Sequence, residues 1–167
     1  MKLFLVGLPG SGKSTLGKQL AGQIELPFID LDDVIEAAAQ QPIREIFAQQ
    51  GEDYFRRLEQ KSLLDTIAQN LEFVMATGGG APCFFDNMQK MNQAGTTIFV
   101  DTPVVIITER MKKEGVAVRP LLHELNTDNF AEAFYQKFAH RLPYYQQAKI
   151  TVTSEDSLDT ILVQLKS

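Results

Sequence analysis

The sequence predicts one α/β domain built on a parallel sheet, and three observations lead to this expectation. Five short apolar segments alternate with helical patterns along the 167 residues, the arrangement that produces a parallel sheet covered by helices. A glycine-rich turn follows the first apolar segment, as it does where a strand leads into a helix. No repeat, linker or low-complexity tract interrupts the chain, so residues 1–167 are expected to form a single domain.

The N-terminal part of the chain contains the first two predicted strands. Residues 3–6 are apolar throughout, as expected for a strand that is buried on both faces of a parallel sheet. A helix is predicted over residues 13–23, and residues 27–29 form a short second strand. Helical patterns then continue to residue 50.

A longer helix is predicted to begin at Gly51. The spacing i, i+3, i+4, i+7 places Leu64, Ile67, Ala68 and Leu71 on one helical face, which we expect to pack against the core. The remaining predicted strands cover residues 73–76, 97–100 and 150–152, and the remaining predicted helices cover residues 84–92, 104–113, 130–141 and 157–165.

Composition limits the possible partners and the compartment. The net charge is −5, which argues against nucleic acid or an anionic membrane as the main partner, because both favour basic surfaces. Cys83 is the single cysteine, so neither an internal disulfide nor a cysteine-based zinc site is expected. The N-terminal apolar run is too short for a signal peptide or a membrane helix, and we expect a cytoplasmic monomer.

Residues 7–14 carry the most specific motif of the chain. They read G-L-P-G-S-G-K-S and match G-x-x-x-x-G-K-[ST] in full, the loop whose backbone N–H groups surround the phosphates of a nucleotide. Lys13 can reach the β- and γ-phosphates, and the Ser14 hydroxyl can bind Mg²⁺. The expected ATP-binding residues are therefore Gly10, Ser11, Gly12, Lys13, Ser14 and Thr15. The guanine-reading and switch motifs of a regulatory GTPase do not occur.

A magnesium ion beside this loop needs a carboxylate, and the third predicted strand does not end in one. Asp101 after the fourth strand and Asp30 after the second are candidates. Asp30 and Asp32 stand two residues apart where the second strand ends, the edge at which ligands bind in open α/β sheets. Asp32 or Asp33 could instead cap the following helix. We favour functional roles for Asp30 and Asp32.

Five further segments, read together with this loop, resemble the shikimate kinase family. They are D-L-D at residues 30–32, G-E-D-Y-F-R-R-L-E at 51–59, G-G-G at 78–80, R-P-L-L at 119–122 and R-L-P-Y-Y at 141–145. The resemblance covers essentially the whole chain in order. It implies transfer of the γ-phosphoryl group of ATP to the 3-hydroxyl of shikimate, giving shikimate 3-phosphate and ADP, in the biosynthesis of chorismate and the aromatic amino acids.

The resemblance also implies a structure. It predicts a P-loop kinase fold with five parallel strands in the order 2-3-1-4-5, flanked by helices. A substrate-binding region is expected at about residues 31–60 and a mobile lid at about residues 114–127. The implied partners are the small molecules shikimate and ATP, with Mg²⁺ as cofactor.

Most residue roles follow from the same resemblance. Asp32 would hold the acceptor hydroxyl and act as base, and Asp30 would bind Mg²⁺ through water. Arg56 and Arg141 would bind the shikimate carboxylate, which a guanidinium matches with two hydrogen bonds. Gly78, Gly79 and Gly80 would bring the backbone close to the substrate.

Two more arginines complete the implied site. Arg119 would reach over the phosphates from the lid, and Arg110 would lie near the adenine; Lys13, Asp32 and Arg119 are thus the expected catalytic residues. Helical spacing, independently of the resemblance, places Glu59 one turn from Arg56, where it can hold the guanidinium. The same geometry turns Arg57 about 100° away, towards solvent.

Two other functions stay open at this point. One is a different small-metabolite P-loop kinase, such as a gluconate or nucleoside monophosphate kinase, although an acceptor without a carboxylate would not need both Arg56 and Arg141. The other is a nucleotide-dependent binding or regulatory protein that transfers no phosphoryl group.

Overall fold

The computed structural model describes residues 1–114 and 129–167 and contains one parallel sheet. The strands are β1 (Lys2–Val6), β2 (Phe28–Asp30), β3 (Phe73–Ala76), β4 (Thr96–Asp101) and β5 (Ile150–Thr153). They lie in the order β2-β3-β1-β4-β5, and every neighbouring pair is parallel. The predicted fold class and strand order are confirmed.

The central strand β1 divides the core into two clusters. Leu3, Phe4, Leu5 and Val6 are all buried, and successive side chains of a strand point to opposite faces. Phe4 and Val6 therefore pack in one cluster, while Leu3 and Leu5 pack in the other. Both faces of the sheet are covered, as the continuous apolar run predicted.

Helices connect the strands within the described ranges. They are α1 (Lys13–Ile24), α2 (Leu31–Ala39), α3 (Ile43–Gln50), α4 (Glu52–Gln69), α5 (Asn87–Ala94), α6 (Val104–Glu114), α7 (Phe130–Phe138), α8 (Leu142–Tyr145) and α9 (Leu158–Lys166). Short 3-10 turns lie at Ala81–Cys83 and Ala139–Arg141. In this part of the chain, no helix is both long enough and apolar enough to cross a membrane.

The prediction of the buried face of α4 is half right, because Ile67 packs against the core and Leu64 is partly buried. Ala68 is exposed and Leu71 is 89% exposed, because the helix ends at Gln69 and Leu71 no longer follows its periodicity. The buried face instead carries Phe55, Arg56, Glu59, Ser62, Leu63 and Thr66. Four of these residues are polar, so a search for apolar spacing could not identify this face. Two of the four, Arg56 and Glu59, line the site described below.

Two helix boundaries also differ from prediction for local reasons. The helix expected from residue 84 begins at Asn87, because the preceding chain forms the 3-10 turn and Phe85 adopts a φ of 51°. The helix expected over residues 130–141 ends at Phe138, and a new short helix follows the 3-10 turn. Pro143 lies at the start of that second helix, where its missing N–H is tolerated.

Candidate active site

The turn after β1 forms a tight loop around the Lys13 ammonium. Gly10 and Gly12 adopt φ values of 76° and 95°, a left-handed conformation that glycine adopts without strain. The Nζ atom of Lys13 donates hydrogen bonds of 2.9 Å to the carbonyls of Gly7 and Leu8. Because α1 begins directly after this turn, the positive end of its dipole faces the same loop, which suits a bound phosphate.

Ser14 and Asp30 place two oxygen-bearing side chains together beside the loop. Ser14 Oγ donates a 3.0 Å hydrogen bond to Asp30 Oδ2. The other carboxylate oxygen, Oδ1, accepts from the backbone N–H of Asp32 at 3.0 Å and caps α2. Such oxygens fit Mg²⁺, which keeps several waters and takes few protein ligands. Asp101, the other candidate, is exposed and lines neither cavity described below.

One cavity of about 470 Å³ brings most of the predicted site together. It begins at the phosphate loop, where Gly10, Gly12, Lys13, Ser14 and Thr15 line it. It continues along the carboxyl ends of β2 and β3 to α4 and to the segment after α7. The other predicted residues in its wall are Asp30, Asp32, Arg56, Gly78, Gly79, Gly80 and Arg141.

Arg56 is held in a buried ion pair at the far end of this cavity. Its Nη1 atom lies 2.8 Å from Oε1 of Glu59, which is only 1% exposed. The guanidinium also lies over the ring of Phe84, 4.1 Å from the ring centroid. Gly80 leaves the necessary room, since a Cβ there would stand 2.5 Å from an Arg56 nitrogen. The structure thus has the Glu59–Arg56 contact that helical spacing predicted, and Arg57 is exposed.

Arg141 lies against Gly79, the residue before Gly80. Its guanidinium lies over the ring of Phe138, 4.8 Å from the centroid, and its Nη1 would stand 3.2 Å from a Cβ at Gly79. Arg56 and Arg141 therefore lie against successive residues of one turn. Ile43 and Phe47 add apolar wall to the same cavity, so this end suits an anion that also presents some carbon surface.

Two carboxyl groups in the cavity have unusual proton affinity. Burial raises the pKa of Asp32 from 3.8 to about 6, the charge of Asp30 adds to the rise, and Lys13 opposes it. Burial likewise raises the pKa of Glu59 from 4.5 to about 7, against the opposing effect of Arg56. Both groups face Gly78, where a Cβ would stand 3.2 Å from Asp32 Oδ1 and 3.6 Å from Glu59 Oε2. Perturbed carboxyl groups in a cleft are typical of active sites.

A second cavity, of about 420 Å³, lies on the other side of the phosphate loop. Ser11 and Arg110 line it, and the guanidinium of Arg110 would stand 3.5 Å from a Cβ at Gly12. The wall also includes four residues for which no role was predicted: Thr102, Thr153, Ser154 and Asp156. Thr102 directly follows the strand β4 that pairs with β1, and its Oγ1 donates to Ser11 O at 2.8 Å, a contact that exists only in the folded chain.

Two further residues around the main cavity were not predicted either. Phe84 supports Arg56, and the hydroxyl of Tyr145 donates a 2.5 Å hydrogen bond to the carbonyl of Gly79. Tyr145 lies four residues after Arg141 within the R-L-P-Y-Y segment, and that spacing was the available signal. Arg119 and nearly all of the predicted lid, residues 115–127, lie outside the described residues.

Comparison with known proteins assigns this arrangement to a family. A family model described as shikimate kinase matches residues 9–166. The chain belongs to the shikimate kinase family. Among named relatives, the shikimate kinase of Bacteroides fragilis is 41% identical over 89% of this chain and 82% of its own length. That of Persephonella marina is 40% identical over 92% and 88%. The chain is therefore a kinase of the class that uses ATP, as predicted.

Solved structures of the family share the fold. The shikimate kinase of Bacteroides thetaiotaomicron superposes with a TM-score of 0.86 at 34% identity, over 99% of this chain and 96% of the other. The Acinetobacter baumannii shikimate kinase, solved in complex with shikimate, gives 0.80 at 30% identity, over 98% and 88%. A gluconokinase from Sinorhizobium meliloti gives 0.57 at 16% identity, a likeness that extends to the fold alone.

Proposed function

We propose that this chain transfers the γ-phosphoryl group of ATP to the 3-hydroxyl of shikimate, giving shikimate 3-phosphate and ADP. One observation carries the proposal. A single cavity runs from the phosphate loop past Asp32 to Arg56 and Arg141. It offers a phosphate site, a carboxylate beside it and two guanidinium groups at the far end, which match a hydroxylated ring acid.

The phosphate end holds and neutralises the triphosphate. Backbone N–H groups of the loop and Lys13 bind the phosphate oxygens, and Lys13 exchanges its contacts with the Gly7 and Leu8 carbonyls for the incoming anion. Ser14 and Asp30 would hold Mg²⁺, Asp30 through water, and the ion would shield charge on the phosphates. Arg110 would contact the adenine from the second cavity.

Asp32 receives the proton of the acceptor hydroxyl. Its pKa of about 6 leaves it ionised at neutral pH, yet more basic than an ordinary aspartate, which favours proton acceptance as the O–P bond forms. Its place between the phosphate loop and Gly78 allows it to orient the hydroxyl in line with the transferred group. Arg119 completes the proposal by resemblance alone, as a cation over the transferring phosphoryl group.

The acid end fixes the substrate and selects it. Arg56, already oriented by Glu59 and Phe84, would form two hydrogen bonds with the carboxylate, and Arg141 would add a second positive charge. A gluconate kinase also binds a carboxylate-bearing substrate, but the support for that alternative is limited to a fold shared with a gluconokinase at 16% identity. A nucleoside monophosphate kinase has no use for a carboxylate site lined by Ile43 and Phe47.

ATP turnover with different acceptors tests the proposal directly. We expect rapid ADP formation with shikimate, and phosphorus NMR should identify the product as the 3-phosphate. Gluconate, AMP and buffer alone should give at most a slow background. Comparable turnover with gluconate or AMP would contradict the assignment, and nucleotide binding without turnover of any acceptor would favour a regulatory protein.

The cellular setting is also a proposal. We propose a magnesium-dependent monomer that works in the cytoplasm, in the route to the aromatic amino acids. A single cysteine suits a reducing compartment, and the acidic net charge of −5 speaks against nucleic acid or anionic membrane as partner. Light scattering during gel filtration would measure the oligomeric state, with one 18.7 kDa chain expected.

A further inference from the structure

The side chain of Tyr145 connects the segment that carries Arg141 to the glycine turn at residues 78–80, against which Arg56 and Arg141 both lie. Tyr145 is fully buried, and its hydroxyl donates a 2.5 Å hydrogen bond to the Gly79 carbonyl. Gly79 lies against Arg141, and the next residue, Gly80, lies against Arg56. The phenol thus contacts the turn at the point where the two guanidinium groups approach it.

The same hydroxyl is close to Arg141 itself. Burial raises the pKa of Tyr145, and the positive charge of nearby Arg141 partly opposes that rise. The phenol therefore stays protonated at working pH and keeps the proton that it donates to the Gly79 carbonyl. Arg141 and Tyr145 stand four residues apart across the 3-10 turn and α8, a spacing that places both on one side of the segment.

We propose that Tyr145 is a positioning residue for carboxylate recognition: it fastens the Arg141 segment to the glycine turn, so that Arg141 and Arg56 converge on one substrate carboxylate. This inference rests on the proposed function. A guanidinium misplaced by about 1 Å loses much of its contribution to a bidentate contact. A neutral hydroxyl can therefore control how tightly the enzyme holds an acid without touching it.

Tyr145→Phe tests this role, because it removes one oxygen and keeps the ring that packs against Phe99. We expect KM for shikimate to rise about tenfold, the effect of one lost hydrogen bond to a charged or buried partner. KM for ATP and kcat should stay within about twofold. A purely structural role predicts a lower Tm without this selective change in one KM, and that result would overturn the proposal.

The adjacent tyrosine provides a matched control. Tyr144 is 38% exposed, and among the described residues its hydroxyl makes no hydrogen bond. Tyr144→Phe makes the same chemical change one residue away and should leave both KM values and kcat unchanged. If it raises KM for shikimate as much as Tyr145→Phe does, the effect belongs to the helix and the proposal fails.

A double-mutant cycle asks whether Tyr145 acts through Arg141. Arg141→Lys, Tyr145→Phe and the double variant should give non-additive effects on KM for shikimate, with the double variant little worse than Arg141→Lys alone. Independent, additive effects would overturn the proposal. Shikimate turnover by the wild-type chain is measured in parallel. Its absence would refute the proposed function, whereas normal turnover with an unchanged Tyr145→Phe KM would refute only this inference.

A second measurement covers the case in which Tyr145→Phe does not fold. Amide exchange of the wild-type chain is followed with and without shikimate, in the absence of nucleotide. If the turn and the Arg141 segment move as one unit, shikimate should slow exchange at residues 78–83 and 142–148 together. Protection of one segment without the other would overturn the proposal.

Discussion

The two ends of the main cavity are built in different ways. At the phosphate end, the loop of residues 7–14 between β1 and α1 brings several backbone N–H groups and one lysine together. At the acid end, the cations come from residues far apart in the chain, and each packs on other side chains: Arg56 on Glu59 and Phe84, and Arg141 on Phe138. The first end depends on local backbone geometry, and the second depends on tertiary packing.

The largest expected effect tests the phosphate end. Lys13→Ala should lower kcat about a thousandfold, because it removes a cation from the transferring phosphoryl group. Affinity for shikimate should change little, since the acid end is built separately. Steady-state kinetics and calorimetric titration with shikimate measure both quantities. Lys18→Ala, on the exposed side of the same helix, is the control. A folded Lys13→Ala enzyme with near-normal kcat would contradict the proposed mechanism.

The contrast between the two ends explains what the sequence could predict. The phosphate loop is contiguous, so its motif identifies both its structure and its ligand. Parallel strands read as apolar runs, and their alternation with helices predicted the sheet. The buried face of α4 could not be found by the same rule, because Arg56 and Glu59 lie on it and stabilise each other only after folding.

Residues that act through a tertiary contact were also missed by the sequence analysis. Nothing local to residue 145 indicates that its hydroxyl meets Gly79, 66 positions earlier in the chain. Thr102 is a similar case, because its partner carbonyl at Ser11 becomes adjacent only once β4 pairs with β1. The resemblance to a family supplied Arg141 and the glycine turn, but it assigned no role to the side chains that hold them.

The next effect is expected where the two ends meet. Asp32→Asn should lower kcat about a hundredfold, since the amide keeps the size of the carboxylate but accepts a proton poorly. Shikimate affinity should fall less than kcat. For the wild-type enzyme, kcat/KM should drop as pH falls below about 6, the pKa of Asp32 in the free protein. Asp33→Asn, at an exposed neighbour, is the control. Equal losses in kcat and affinity would indicate positioning without base catalysis.

A smaller and more selective effect is expected at the acid end alone. Arg56→Lys should raise KM for shikimate by about 5- to 150-fold, corresponding to ~1–3 kcal/mol for a charged hydrogen bond. KM for ATP should barely change, because backbone groups and Lys13 bind the nucleotide. Arg57→Lys makes the same substitution at the exposed neighbour and should be neutral. Equal weakening of ATP and shikimate would show that the two ends are not independent.

The smallest effect concerns stability rather than turnover. Glu59 is buried beside Arg56 and its pKa is raised from 4.5 to about 7. The folded state therefore binds a proton more tightly than the unfolded state. Below about pH 4.5 the Glu59 carboxyl is protonated in both the folded and the unfolded state, so it adds no pH dependence to the free energy of unfolding. As pH rises from 4.5 towards 7, the unfolded chain releases this proton first, so the free energy of unfolding must fall.

Glu59→Gln should remove that part of the pH dependence. The difference in unfolding free energy between the variant and the wild type should shift in favour of the variant as pH rises through the window from 4.5 to about 7. Urea titrations of the ligand-free proteins at a series of pH values measure it. Glu52→Gln is the matched control, because Glu52 lies 3.5 Å from the same arginine but is 58% exposed, where water screens the pair. A difference between Glu59→Gln and wild type that stays constant across the window would mean that Arg56 holds Glu59 ionised throughout. In that case the charge at the acid end would not change between pH 4.5 and about 7, just as the backbone groups of the phosphate loop do not titrate.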